Sequence, residues 1–145
     1  MEQYNQDSDD LGRQLGVATR EWRRITREFD DLAAHWSAMA EKLLPGYSIN
    51  PDQHPSCIQM KGNASGRSFS LYFAPFMLNG KMFGQIVVTA DSGPVLEAAE
   101  AARLLIDGGG AIYDKDGSLL HGQESDLGRY TALCNIFARV LAVPL

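Results

Sequence analysis

The sequence predicts an α+β domain built on an antiparallel sheet. A heptad seam fills the first third of the chain, two turns in the middle set strand registers that agree, and cap residues mark two further helices. The predicted order is α-βββ-α-ββ-α: a three-stranded meander plus a short hairpin, packed with three helices, the first of them long.

The chain has 145 residues and a mass of 15.9 kDa, with 45% hydrophobic and 21% charged residues. That size suits one core, and that composition excludes a disordered chain and a disulfide scaffold. The predicted organisation is a flexible arm over residues 1–10, polar and acidic with Tyr4 as its one aromatic anchor, and a single domain over 11–145.

From Leu11 the apolar residues Leu11, Leu15, Ala18, Trp22, Ile25, Phe29, Leu32, Trp36, Met39 and Leu43 recur in alternating steps of four and three, a heptad seam. Gly12 and Gly16 weaken its first turns by about 1 kcal/mol each, so the secure helix runs from about Val17 to Leu44, before Pro45-Gly46. At about 1.5 Å per residue it reaches about 40 Å, longer than a strand of about seven residues. Its overhang therefore calls for a second copy or a partner helix, where a wholly core helix would need none.

Tyr47 to Pro55 reads as a proline-marked loop. Strands follow over about 57–61, 67–77 and 82–90. The dipeptide Asn79-Gly80 is a two-residue hairpin signal, and centring on it pairs Phe73 with Ile86, Leu71 with Val88 and Met77 with Met82. A turn over 62–66 then sets Ile58 opposite Leu71 and Met60 opposite Phe69, on that same face. Asp91-Ser92-Gly93-Pro94 caps a predicted helix of about 14 residues, with Val95, Ala98, Ala102 and Leu105 opposite Glu97, Glu100, Arg103 and Asp107, closed by Gly108. A hairpin over 111–113 and 118–120 turns through Asp114-Lys115-Asp116-Gly117. Ser125 or Asp126 caps the last helix, to about Ala142, whose apolar residues, Leu127, Cys134 and Leu141 among them, circle most of its circumference and predict deep burial.

The net charge of −5 gives no whole-chain drive toward phosphate backbones, so nucleic acid is disfavoured. Cys57 and Cys134 have no CxxC spacing, and MEQYNQDSDD lacks a basic-then-apolar leader, so the chain reads as cytoplasmic with reduced thiols. No apolar run approaches the roughly 20 residues that span a bilayer.

No motif assigns a catalytic, cofactor-binding or metal-binding residue. Gly62 to Arg67 has the composition of a phosphate loop but joins two strands, and Gly108-Gly109-Gly110 follows a helix, the wrong polarity for an anion. Asp114 to Ser118 begins like a calcium loop, but Leu119 stands where glycine is required. His54, Cys57, His121 and Cys134 could form a zinc set only if Cys134 left an apolar helix face. There is no GxSxG or HExxH, so an enzyme would be one without a recognisable motif.

Two surfaces stand out as candidate partner or dimer contacts. Arg20, Arg23, Arg24 and Arg27 form the densest charge cluster, off the heptad seam, and Trp22 of the seam joins them as a candidate contact; the cluster reads either as a docking strip for an acidic partner or as a solvated face with pairs such as Arg24–Glu28 and Arg27–Asp31. The second face of the meander gathers Cys57, Tyr72, Phe76, Phe83 and Val87 among Ser68, Ser70, Gln85 and Thr89. Such a face is covered by another helix or by a partner.

Together these features predict a non-enzymatic small homodimer that binds another protein as adaptor, chaperone or inhibitor, including the immunity type of a bacterial accessory locus. A small-molecule sensor or regulatory domain is the alternative, which an apolar pocket between sheet and helices would favour. In element order, size and acidic charge, Ser56 to Leu141 resembles the class I type III secretion chaperones, and that resemblance implies a dimer holding an extended effector segment. The long first helix departs from that family.

Overall fold

The computed structural model describes residues 2–52, 58–91, 98–122 and 125–144. It contains two helices, α1 (Glu2–Leu43) and α2 (Asp126–Ala142). Between them run β1 (Tyr47–Pro51), β2 (Ile58–Ala64), β3 (Arg67–Leu78), β4 (Lys81–Asp91), β5 (Ala98–Ile106), β6 (Ile112–Asp114) and β7 (Leu119–His121). The strands form one seven-stranded antiparallel sheet in sequence order. The class is α+β, as the sequence predicts, but the layout differs from α-βββ-α-ββ-α.

Several expectations are corrected. The helix expected before Gly108 is strand β5 across 98–106; its cap over 92–94 and Val95 lie outside the described residues. The run Ala98-Ala99-Glu100-Ala101-Ala102-Arg103 has strong intrinsic helix propensity, but β4 presents an unpaired edge there, and pairing that edge outweighs a weak local preference. Its neighbour Leu104-Leu105-Ile106 supplies the period-two alternation of a strand: Leu104 and Ile106 face one side, Leu105 the other. The supposed loop after Gly46 opens with β1, whose Pro51 sits at the end of an edge strand, where a missing N–H costs little. The chaperone resemblance rested on the order of elements, and with that order replaced it carries no further argument.

The third correction concerns register. The β3–β4 hairpin pairs Phe73 with Ile86, Leu71 with Val88 and Met77 with Met82, as Asn79-Gly80 dictates, with φ of 51° at Asn79 and 76° at Gly80. The β2–β3 turn is Ser65-Gly66 alone, and Ala64 pairs with Arg67, so Met60 faces Leu71 instead of Phe69. Asn63 makes this tight turn possible by accepting a hydrogen bond from the Gly66 N–H at 2.6 Å beside a left-handed Ser65. A slip of two residues leaves Met60 on its predicted face, whereas a register shift between Ile58 and Met60 sets Ile58 opposite Tyr72 and not opposite Leu71 as expected.

The α1 backbone is helical from Glu2, well before the expected secure start at Val17, and its 42 residues extend about 63 Å. Its seam is buried or half-buried from Ala18 to Met39, with Ile25, Phe29, Leu32 and Trp36 in the core, and exposed again at Leu43. These meet Ile49, Met60, Phe69, Leu71, Ile86, Val88 and Ile106 on the inner face of the sheet. Phe73 stacks on Phe29 at 3.9 Å and on Trp22 at 5.0 Å. The second helix lies on that same inner face beside α1: Phe137 packs on Phe69 and Tyr47, and the Trp36 Nε1–H donates to the Arg129 carbonyl at 2.9 Å. Ser125 is its N-cap, accepting from the Gly128 N–H at 3.0 Å. Only one side of α2 is buried, through Ala132, Leu133, Ile136, Phe137 and Val140, whereas Leu127 and Leu141 are exposed and Cys134 is partly so. The expected all-round burial is thus corrected, because sheet and α1 reach it from one side.

Candidate interaction surfaces

Both helices occupy the inner face, so among the described residues neither covers the outer one. Tyr72 and Val87 sit opposite each other across β3 and β4, and Phe76 sits opposite Phe83. Tyr72, Phe76 and Val87 are half-buried, while Phe83 is buried. Phe83, like the fully buried Leu105, stands outside the main core cluster. Its ring meets the Tyr113 ring edge-on at 5.2 Å, and the Lys81 ammonium stands 5.1 Å from one ring and 5.2 Å from the other. The tip of the β6–β7 hairpin brings Gly117 against Leu78. Cys57, expected on the same face, lies outside the described residues, as does His54.

Asp107, expected on the polar stripe of a helix, instead organises the β5–β6 turn. Its carboxylate accepts from the Gly109 N–H at 2.9 Å, the Ala111 N–H at 3.0 Å and the Tyr113 hydroxyl at 2.6 Å, with Lys81 Nζ at 3.6 Å. Burial pushes its pKa up, but the hydrogen bonds from Tyr113, Ala111 and Gly109 and the Lys81 charge outweigh burial and hold it below the ordinary value of 3.8. The hydrogen bond to Asp107 pushes Tyr113 above 10.0. A carboxylate with a depressed folded-state pKa contributes stability that is present above its unfolded value and lost as pH falls through the folded one. Asp107→Asn is therefore expected to lower unfolding stability by about 2 kcal/mol at pH 7, and the gap between variant and native should narrow below about pH 4. Urea titrations at the two pH values check this; a gap of equal size at both would remove the carboxylate from the explanation. The signal for this turn was Asp107 directly before three glycines.

Arg20, Arg23, Arg24 and Arg27 are exposed on the solvent side of α1. Arg24 pairs with Glu21 at 3.4 Å, not with Glu28. Asp31 and Glu28 serve the buried Arg129 instead, at 3.1 Å and 3.9 Å, and His35 Nδ1 lies 2.9 Å from its guanidinium. Trp22, placed by the sequence among the candidate contacts, spends its ring on Phe73. The aromatic outer face and the arginine row therefore lie on opposite sides of the domain, one on the sheet and one on the helix layer.

The remaining sequence candidates have structural roles. Asp116 accepts from the Ser118 N–H at 2.9 Å, and Gly117 takes the left-handed conformation (φ 90°) that turns the hairpin. Arg67 donates to the carbonyls of Asp91 and Val143, tying the sheet to the end of α2. Among the described residues no group of three His, Cys, Asp or Glu side chains could hold a metal ion, and no helix is long and apolar enough to cross a membrane. Near the N-terminal half of α1, Val17, Ala18, Met77 and Met82 floor an open cavity of about 430 Å³ rimmed by Arg13, Glu21 and Lys81. No family model, curated protein or solved structure matches this chain.

Proposed function

We propose that this chain is a non-enzymatic, homodimeric protein that binds another protein through the outer face of its sheet. The observation that carries the reading is the placement of both helices on the inner face, which leaves Tyr72, Phe76 and Val87 without a covering element among the described residues. Aromatic side chains set among Ser68, Ser70, Gln85 and Thr89 match the centre and polar surround of protein interfaces, where large rigid rings supply most of the binding energy. Phe83 is buried against the edge of the Tyr113 ring, so a partner meets a preformed surface at this end of the face.

The test is capture from the host's own lysate by the native chain and by a Tyr72→Asp, Val87→Asp variant. Phe83 is a poor site for such a variant, because a carboxylate there would be buried. A protein enriched by the native chain and lost from a variant with the native melting temperature supports the reading. The same proteins recovered with both would remove the outer face from it. One observation favours a second reading, a small-molecule sensor: the cavity beside Met77 and Met82 lies within the usual size range of ligand sites, about 300–1,000 Å³. Ligand-induced stabilisation in a thermal-shift screen, abolished by Ala18→Trp, would support that reading.

A further inference from the structure

The solvent side of α1 carries a charge imbalance that the fold itself creates. Arg13, Arg20, Arg24 and Arg27 follow one another along the side of the helix away from its seam, over about 21 Å, and Arg23 stands beside them. Arg20 lies three and four residues before Arg23 and Arg24, and Arg27 lies four and three residues after the same two. Like charges are thus helical neighbours throughout the row, which destabilises a helix unless acids stand among them. The sequence supplies such acids: Glu28 is four residues after Arg24, and Asp31 is four after Arg27. The folded chain spends both elsewhere. Arg129, only 7% exposed, reaches across from α2 and takes Asp31 at 3.1 Å and Glu28 at 3.9 Å. Glu21 pairs with Arg24 at 3.4 Å, and Asp10 meets Arg13 at 3.9 Å. Among the described residues the exposed Arg20, Arg23 and Arg27 make no ion pair. Docking of α2 therefore draws two acids off the row and leaves three guanidinium groups uncompensated side by side.

The occupant that these groups fit is an acidic helix of a partner protein. A helix ridge offers no free backbone donors or acceptors, so an extended segment laid along it gains no main-chain hydrogen bonds. A second helix has its own backbone groups satisfied and needs side-chain contacts alone. Two helices share a rise of about 1.5 Å per residue, so carboxylates at steps of three and four along one face of the partner meet Arg20, Arg23 and Arg27 in register. Each guanidinium can then hold a carboxylate through two parallel hydrogen bonds. A nucleic-acid duplex fits less well. It carries a negative charge about every 1.7 Å, so the remaining acids of a chain with net charge −5 repel it well beyond the row.

We infer that the arginine row of α1 is a docking surface for an acidic helical segment of another protein, kept open because Arg129 holds Glu28 and Asp31. This inference rests on the protein-binding part of the proposed function and adds a second surface to it, on the helix layer and opposite the outer face of the sheet.

Fluorescence anisotropy on the full chain tests it with three probes: a stapled helical peptide of about 20 residues whose glutamates repeat at steps of three and four on one face, a peptide of the same composition with its glutamates spread round the helix, and a DNA duplex of the same total charge. The expected result is that the one-faced peptide binds at least tenfold tighter than the other two probes, and that its affinity falls as salt rises. Arg20→Gln, Arg23→Gln, Arg27→Gln is expected to abolish that binding while the melting temperature holds or rises, because the repulsion within the row goes with the charges. Tyr72→Asp, Val87→Asp is expected to bind the peptide as the native chain does. A native chain that binds neither peptide, or both equally, overturns the inference and leaves the outer-face reading to its own test. Tighter binding of the duplex, lost with the arginine variant, overturns it in favour of a phosphate backbone. Peptide binding that survives the arginine variant and is lost from the outer-face variant overturns it too, and assigns the acidic segment to the sheet.

Discussion

Trp36→Ala is expected to lower unfolding stability by about 3–5 kcal/mol, the largest loss from any single truncation in the domain. Trp36 is fully buried and stands where α1, α2 and the sheet meet, so removing the indole opens a cavity that three packed elements cannot close together. The same change deletes the Nε1 hydrogen bond to the Arg129 carbonyl, which ties α1 to α2. Against a typical total of about 5–15 kcal/mol this is a large fraction, and the melting temperature should fall by about 10–20 °C. Trp36→Phe separates the two contributions: it keeps most of the ring and should cost about half as much. Denaturant unfolding of the three proteins checks the ranking, and a Trp36→Ala variant within 1 kcal/mol of native would mean that the helices do not share this core.

Gly84→Val is expected to cost about 3 kcal/mol, and the cause is crowding instead of loss. A Cβ at Gly84 would stand 2.3 Å from Phe73 Cε1 and 2.8 Å from Ile25 Cγ2. The Phe73 ring cannot step aside, because it is clamped between Trp22 and Phe29. Gly84→Val with Phe73→Leu should therefore cost less than the sum of the two single changes by at least about 1 kcal/mol. Additive costs would show that the strain sits in the β4 backbone and not under the aromatic stack.

The parts of the fold legible in the sequence are those fixed by local chemistry. Asn79-Gly80 fixes the β3–β4 register residue by residue, because a two-residue turn with both φ values positive permits one pairing only. The seam of α1 is legible because Trp22, Phe29 and Trp36 repeat at helical spacing, and the start of α2 because Ser125 precedes Asp126. The misreadings arise where tertiary pairing overrides local preference. Ala98 to Arg103 has the composition of a helix and becomes a strand, because a long β4 needs a second neighbour. Ser65-Gly66 turns more tightly than a glycine-rich five-residue stretch suggests, since Asn63 reaches back to hold it. Among the candidate surfaces, the alternation along β3 and β4 placed Tyr72, Phe76 and Val87 on one face. It carried no information on Phe83 meeting Tyr113, thirty residues downstream, or on Glu28 and Asp31 being taken by Arg129 from α2.

Strands that follow one another along the chain also lie side by side in the sheet, so the sheet can assemble in the order in which the ribosome delivers it. The helices cannot. The apolar seam of α1 is made before any strand and must wait for β3 and β4 to provide Phe73, Ile86 and Val88. The contact between Trp36 and Arg129 joins residues 93 positions apart and forms only when the last helix has emerged. Until then the inner face around Phe69 and Ala102 stands open along the footprint of α2. A nascent chain halted before residue 126 is the form most exposed to proteases and to self-aggregation, and release of α2 is the event that ends that exposure.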